Sequence, residues 1–187
     1  ATNLSGTIAD ARLPTVPVTK GGTGLTSLGS AGQAVKVNSA GNALEFGAVA
    51  GGKVLQVVNA TDSTQRNSTS TSFVTASNTL SVDITPSATS SKIYVVCGFS
   101  VYTNGAGHVK YTIYRDSTNL GDATHGIFAA YENDDCAKSH TLTILDSPNS
   151  TSQLTYQLYI KGFSGISNHY LNYSGATSSI TAFEIGA

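Results

Sequence analysis

The chain has 187 residues, a formal net charge of −1 and charged side chains at 11% of its positions, against about 25% in average globular proteins. Its surface must be solvated mainly by Ser, Thr, Asn and Gly, a composition that favours strands and turns over helices. The 10 Lys and Arg residues are scattered, whereas nucleic-acid-binding proteins cluster them to displace counterions. No apolar stretch approaches the ~20 residues that span a bilayer. We therefore expect neither a nucleic-acid partner nor membrane insertion.

The first residues carry no recognisable targeting signal. Residues 1–10 lack the charged and apolar regions of a secretory signal peptide. The sequence also contains no methionine, so we expect it to be a processed or partial piece of a longer protein. Either a signal was removed or, more simply, the protein leaves its cell by lysis.

Residues 1–51 are punctuated by turn-forming residues. Pro14 and Pro17 are followed by Gly21, Gly22 and Gly24. The apolar residues between them occur in short pairs, and no stretch of this segment has helical periodicity. About fifty residues so poor in large side chains cannot bury enough surface to fold alone. They form either a disordered linker or a segment ordered by other copies of the chain. The regular punctuation and the β-branched residues favour an extended shaft built by three chains.

Residues 52–187 have the short apolar alternations typical of an all-β domain. Lys92–Tyr102 alternates most clearly, with Ile93, Val95 and Cys97 on one side, and Pro86 ends the strand before it. Such a pattern indicates two packed antiparallel sheets, a β-sandwich whose preferred topology is a jelly roll. The predicted strands are Lys53–Asn59, Leu80–Ile84, Lys92–Tyr102, Val109–Ile113, Gly126–Tyr131, Lys138–Leu145, Gln153–Phe163, His169–Tyr173 and Ser178–Ile185.

Two cysteines, Cys97 and Cys136, are present. Their separation fits neither a metal-binding nor a disulfide framework. Cys97 lies on the apolar side of its strand, where a reduced cysteine behaves as a small hydrophobe. We expect two free thiols rather than a disulfide.

One stretch resembles a phosphate-binding loop. Gly47–Lys53 matches most of the pattern GxxxxGK, but Val54 stands where a Ser or Thr must coordinate magnesium. The expected preceding strand and following helix are also missing from the pattern. We predict a hinge into the first strand of the domain and no nucleotide site.

No motif nominates a catalytic centre. Neither GxSxG nor HExxH occurs, and the histidines do not fall at metal-ligand spacing. His140 shares the alternation of Leu142 and Ile144, which indicates a half-buried residue rather than a catalytic base. We expect no enzymatic activity, cofactor or metal site.

The one acidic cluster is Glu132-Asn133-Asp134-Asp135. Paired carboxylates could serve glycoside hydrolysis, and several hard oxygens from one loop could bind calcium. A solvated hairpin tip agrees best with the turn preference of Asn and Asp.

The first part of the sequence resembles the distal shaft of bacteriophage tail fibres. The stretches that carry this resemblance are Leu4–Pro14, Val18–Gly24, Gly29–Asn38 and Ala43–Phe46. The second part is similar to C-terminal domains of marine phage fibres, including those that infect cyanobacteria. There the matching stretches are Gly52–Val58, Leu80–Ser87, Ser91–Ile93, Leu145–Pro148, Thr155–Tyr156 and Ser179–Ile185.

This resemblance implies a homotrimer in the virion that attaches to a host-surface polysaccharide or outer-membrane receptor and joins other tail proteins through a preceding segment. It supplies no catalytic residues. Adhesion needs aromatic platforms and neutral hydrogen-bonding groups on loops. We predict three sets of receptor contacts: Tyr102, Asn104 and His108; then His125, Tyr131, Glu132 and Asp134; then Asn168, His169, Tyr170 and Tyr173.

Three alternatives stay open. The chain could be a fibre or decoration protein that never touches a receptor, a fragment of a polysaccharide depolymerase, or a secreted bacterial adhesin. Sugar-cleaving tailspikes are usually long β-helices with an extended repeat, which this sequence lacks, so hydrolysis is the minority interpretation.

Overall fold

The computed structural model describes residues 22–48, 53–132, 136–162 and 168–186, apart from the side chains of Glu132 and Cys136. The chain divides into two compact units between Gly51 and Gly52. Of the extended shaft predicted for residues 1–51, residues 1–21 and 49–51 lie outside the described residues, and so does the solvated tip predicted at residues 133–135.

The first unit contains one β-hairpin. Strand β1 (Gln33–Val37) pairs antiparallel with β2 (Leu44–Ala48). The Asn38 side-chain oxygen accepts hydrogen bonds from the backbone N–H groups of Asn42 and Ala43, and Gly41 has the positive φ of 71° that the turn requires. Val35 and Val37 remain 49% and 60% exposed, so this hairpin leaves apolar surface uncovered.

The second unit is built of strands joined by turns. They are β3 (Val54–Asp62), β4 (Arg66–Ser68), β5 (Val74–Thr75), β6 (Ser81–Ile84), β7 (Lys92–Asn104), β8 (Gly107–Arg115), β9 (Thr118–Asn119), β10 (Phe128–Glu132), β11 (Cys136–Asp146), β12 (Leu154–Gly162), β13 (Asn168–Leu171) and β14 (Ser178–Ile185), with a short 3-10 turn at Tyr173–Gly175. Strand β3 begins directly after Lys53, and the hinge predicted before it lies mostly outside the described residues.

The strand pairing is that of a jelly roll. Taking β3, β6, β7, β8, β10, β11, β12 and β14 as the principal strands, the first pairs with the last, the second with the seventh, the third with the sixth and the fourth with the fifth. These four nested pairs form one long two-stranded antiparallel ribbon. Two further pairings, β14 with β7 and β12 with β8, fold the ribbon into two sheets. The result is one sheet in the order β3-β14-β7-β11, the first sheet, facing a second sheet in the order β6-β12-β8-β10. The all-β sandwich predicted from the sequence is confirmed.

Period-two alternation builds the core between the sheets. Inward-facing residues of β7 such as Ile93, Val95 and Val101 are at most 1% exposed and meet the inward residues of β8 and β12. The rings of Phe99 and Tyr111 lie 4.9 Å apart between their centroids. Fully burying side chains of this size contributes about 1.5–3 kcal/mol each relative to leaving them exposed.

A half-buried ion pair and a buried tyrosine join the two sheets. Arg115 of β8 donates two hydrogen bonds to the Asp146 carboxylate of β11, at 2.9 and 2.7 Å. The Tyr156 hydroxyl of β12 donates to the same carboxylate at 2.7 Å. Burial together with this acceptor raises the pKa of Tyr156. The three side chains thereby connect the two sheets.

Glu184 anchors the segment between β6 and β7. Its carboxylate is 1% exposed and accepts hydrogen bonds from the Ser87 N–H and hydroxyl and from the Ser91 hydroxyl. Burial alone would raise the pKa of Glu184, but these donors outweigh it and lower the pKa. This carboxylate is therefore a structural group.

The register keeps the two cysteines apart. Cys136 lies opposite Thr103 on β7, and Thr103 is about 20 Å along that strand from Cys97 at ~3.3 Å per residue. A disulfide requires Cα atoms within about 7 Å. The expectation of free thiols agrees with this geometry, and burial raises the pKa of Cys97 to about 12, which keeps that thiol protonated.

The sandwich has two distinct ends. Val54 pairs with Ile185, which also pairs with Lys92, so the domain's first strand begins and its last strand ends at one end, the near end. The strands β7, β10 and β12 finish at the opposite, far end, where Asn104 pairs with Asn168 and Glu132 with Gly107. Along the 13 residues of β7 the two ends are about 40 Å apart.

Candidate functional site

Three tyrosines form one surface cluster, the tyrosine platform: Tyr102, Tyr170 and Tyr173. Tyr102 and Tyr170 are cross-strand neighbours on β7 and β13, on the outer face of the first sheet near the far end. The rings of Tyr102 and Tyr173 stack with centroids 4.2 Å apart and planes at 14°. The Tyr170 ring lies 5.9 Å from the first and 6.0 Å from the second. Tyr173 is 36% exposed, whereas Tyr102 and Tyr170 are half-buried, so Tyr173 is the ring of the platform that solvent reaches most.

Three asparagines border the platform, and we call them the asparagine rim: Asn67, Asn104 and Asn168. Asn67 is the partner of Tyr170 on β4, and Asn104 is the partner of Asn168 on β7. The Asn67 amide donates a hydrogen bond to the Asn168 side-chain oxygen at 3.2 Å. Each amide offers two donors and one acceptor, so the rim adds neutral hydrogen-bonding groups to an aromatic surface.

A strained turn holds Tyr173 in place. Asn172 and Ser174, on either side of it, have φ values of 56° and 55°, the left-handed region that non-glycine residues rarely adopt. Asn172 is fully buried. Its backbone N–H donates to the Ser100 carbonyl at 2.9 Å, and its side chain donates to the Thr64 carbonyl and accepts from the Ser178 hydroxyl. Such outliers persist where the surroundings impose them, and they cluster at functional sites.

A second surface feature, the histidine pocket, opens on the second sheet. Its volume is about 460 Å³, and it is lined by His108, Lys110, Thr124, His125, Ala129 and Tyr131. The rings of His108 and Tyr131 meet edge to face at 5.0 Å. The Lys110 ammonium donates to the Thr124 carbonyl at 3.1 Å, and His125 lies 3.0 Å from the Asp122 carboxylate. Unlike the platform, this pocket is bordered by ionisable groups.

The sequence predicts three sets of contact residues, but the described ones lie in two clusters. Tyr102, Asn104, Asn168, Tyr170 and Tyr173 meet at the tyrosine platform and its rim. His108 joins His125 and Tyr131 at the histidine pocket. Asp134 and the side chain of Glu132 fall outside the described residues.

His169 is a correction to the third set. His169 is 1% exposed because its side chain faces the core, whereas those of its neighbours Asn168 and Tyr170 face outward. Its Nε2 lies 3.1 Å from the Tyr111 hydroxyl. Burial, with a smaller contribution from His140, lowers the pKa of His169 to about 3. A surface ligand does not reach this imidazole, so the prediction of a receptor contact at His169 is wrong.

Two further residues bear on the site. Asn67 was missed because β4 is a three-residue strand in a polar stretch without apolar alternation. His140 is half-buried as predicted, with its ring 5.8 Å from Phe99 and 5.3 Å from Tyr111.

The two surface features offer different kinds of contact. Within the described ranges, no three His, Cys, Asp or Glu side chains come together as a metal site. No helix in the part of the chain that the structure covers is long and apolar enough to cross a membrane. The platform offers stacking and neutral hydrogen bonds, and the pocket offers a concave surface with histidines and a lysine.

No protein-family model matches the chain, and no curated protein matches it in sequence. Solved structures give distant matches. A protein chain of the T13 particle of infectious bursal disease virus is 14% identical to this chain with a TM-score of 0.37. The match covers 82% of this chain and 41% of the viral chain. A subviral particle of VP2 from the same virus is 13% identical with a TM-score of 0.36, over 83% and 43%. A structure of the Gx strain of that virus is 12% identical to this chain with a TM-score of 0.36, and the match covers 82% of this chain and 44% of the viral chain.

This chain thus spans less than half the length of the viral proteins it matches. At these TM-scores and identities we draw no functional conclusion from the similarity. The jelly-roll assignment rests on the strand pairing alone.

Proposed function

We propose that this chain forms the trimeric, receptor-binding tip of a bacteriophage tail fibre and attaches the virion to the host cell surface without catalysing a reaction. The observation that carries the proposal is that the chain enters the second unit at one end, whereas the tyrosine platform lies near the other end. The chain enters it at Val54 at the near end, and Tyr102, ten residues beyond Lys92 on β7, lies about 33 Å further along. A fibre tip needs this arrangement, with the polypeptide arriving on one side and recognition groups on the other.

Uncovered apolar residues support assembly from several copies. Val57, Phe183, Tyr94 and Leu145 form a straight row across the outer face of the first sheet, each the register partner of the next. Val57 and Leu145 are 54% and 56% exposed. Monomeric proteins rarely expose contiguous apolar patches without an interaction role. A second copy of the chain would cover this row, and likewise Val35 and Val37 of the hairpin.

Three copies also serve adhesion. Weak sites on one rigid tip raise each other's effective concentration, so overall binding strengthens without a new contact. The low proportion of charged residues, 11%, agrees with this role, because neutral hydroxyl and amide groups can exchange hydrogen bonds with the hydroxyls of a polysaccharide.

Adsorption competition tests the proposal. Purified chain is added to the host strain of the virus that encodes it, and the rate of virus adsorption is measured over a range of protein concentrations. We expect a saturable decrease in adsorption, which heat-unfolded protein does not produce. An unchanged adsorption rate at saturating protein would contradict receptor binding and favour a fibre or decoration protein without receptor contact.

A further inference from the structure

We propose that the tyrosine platform binds the ring face of a neutral pyranose in the host-surface polysaccharide, with the asparagine rim bonding to its hydroxyls. This inference rests on the proposed attachment function and assigns its ligand class and its residues.

The platform matches the apolar face of a sugar ring. A pyranose presents axial C–H groups on one face, and these carry a small positive charge that the negative face of an aromatic ring attracts. Tyr102 and Tyr173 stack on each other at 4.2 Å, and Tyr170 stands beside both within 6.0 Å. Stacking covers one face of each of the first two rings, so a sugar would contact the other face of the exposed Tyr173.

The asparagine rim favours a ligand that is polar and uncharged. Asn67, Asn104 and Asn168 follow the outer faces of three neighbouring strands, where their amides can donate to and accept from sugar hydroxyls. The six side chains that define the platform and the rim are tyrosine phenols and asparagine amides, and none of them supplies a cation. An anionic sugar would lose its hydration there without gaining a cation, so the surface favours neutral residues.

The turn that carries Tyr173 is preorganised for binding. Asn172 and Ser174 hold left-handed backbone conformations, and the buried Asn172 is bonded to Ser100, Thr64 and Ser178 on three other segments. A ligand that meets a prearranged side chain does not have to offset the entropy of ordering it. The buried bonds of Asn172 thereby place the exposed ring of Tyr173.

The histidine pocket does not have these properties. Its lining includes Lys110 and two histidines, and an acidic residue, Asp122, lies at its edge beside His125. It remains a separate surface feature.

Saturation-transfer NMR on the full chain tests the inference. The probes are the methyl pyranosides of glucose, galactose and mannose at millimolar concentration, with methyl glucuronide as the charged comparison. We expect transfer to the ring C–H protons of at least one neutral probe and a weaker signal from the glucuronide. Tyr173→Ala should weaken binding about tenfold, as expected for the loss of one aromatic contact, whereas Tyr173→Phe should retain it.

Tyr114 and Tyr159 supply a matched control. They stack at 3.9 Å with planes at 21°, but on the second sheet and beside Phe73. Tyr159→Ala should leave the sugar signals unchanged. The inference fails if no neutral probe receives transfer, if Tyr173→Ala leaves it unaltered, or if the glucuronide binds as well as the neutral sugars.

Adsorption competition with the Tyr173→Ala chain separates this inference from the function itself. If the variant competes as well as the wild type, the platform is not the contact surface while receptor binding stands. If neither protein competes, the proposed function fails whatever the NMR gives.

Discussion

The buried His169 shows how a single residue couples the fold to pH. It is neutral in the folded chain because burial lowers its pKa to about 3, whereas an imidazole in an unfolded chain has a pKa of about 6.5. As the pH falls below that value the unfolded chain takes up a proton that the folded chain refuses. The stabilising contribution is therefore complete above about pH 6.5 and is lost progressively towards pH 3.

We predict that the free energy of unfolding decreases by about 2 kcal/mol between about pH 7 and pH 5 through His169. The buried carboxylates contribute little in this range, because donors to Glu184 and Asp62 lower both pKa values and their effect begins in more acidic solution. Urea denaturation at fixed protein concentration measures the pH dependence. His169→Gln should flatten it, and His125→Gln, at an exposed histidine, should not. An equal slope in wild type and His169→Gln would contradict the assignment.

Asn172 is predicted to matter for both stability and binding. Asn172→Ala removes buried hydrogen bonds and places alanine in a left-handed conformation, which should cost about 2–3 kcal/mol. Asn149 is the matched control, since it has a φ of 51° but an exposed side chain. Asn149→Ala should cost only about 1 kcal/mol, the cost of a left-handed alanine. Thermal unfolding of both variants gives the comparison, and equal losses would mean that backbone conformation alone, not the buried bonds, stabilises the turn.

Among the elements, β8, β11 and β12 depend on one carboxylate. Asp146 accepts from Arg115 and Tyr156, and the side chains of Arg115 and Asp146 are 22% and 11% exposed. Asp146→Ala would leave Arg115 half-buried without its partner, so we predict a loss of about 3 kcal/mol in unfolding free energy. Glu45→Ala breaks the exposed Lys36–Glu45 pair and should change stability by less than about 1 kcal/mol. Chemical denaturation distinguishes the two, and a small loss at Asp146 would contradict its role in joining the sheets.

Strand content was predictable because the alternation is strong where strands are long. Ser178–Ile185 has the predicted bounds, and Lys92–Tyr102 extends by two residues, to Asn104. The short strands β4, β5 and β9 and the hairpin of β1 with β2 were not predicted, since two to five residues give too little periodicity. The jelly-roll order was a preference, because spacing along the chain does not specify which strands pair.

The same limit governed the site. Tyr102 and Tyr170 were assigned to separate sets because their proximity comes from the pairing of β7 with β13, a contact between segments far apart in sequence. The inward position of His169 could have been found from its alternation with the apolar Leu171. Asn172 carried no sequence signal, since its burial depends on segments from three other parts of the chain.

At the scale of the whole molecule, the uncovered apolar residues are the feature that a single chain leaves unexplained. The row Val57–Phe183–Tyr94–Leu145 spans the first sheet, and Val35 and Val37 of the hairpin are also about half-exposed. Burying apolar surface of this kind stabilises an assembly by roughly 25 cal/mol for each Å² removed from water. We infer that the chain functions as three copies, which share these side chains and present three tyrosine platforms.

The mass of the chain in solution tests this claim most directly. Light scattering coupled to size-exclusion chromatography, at micromolar protein and physiological salt, should give a mass close to three times the 19.2 kDa of one chain. The value should stay constant on dilution through the micromolar range. A mass equal to that of one chain would contradict the trimeric fibre tip.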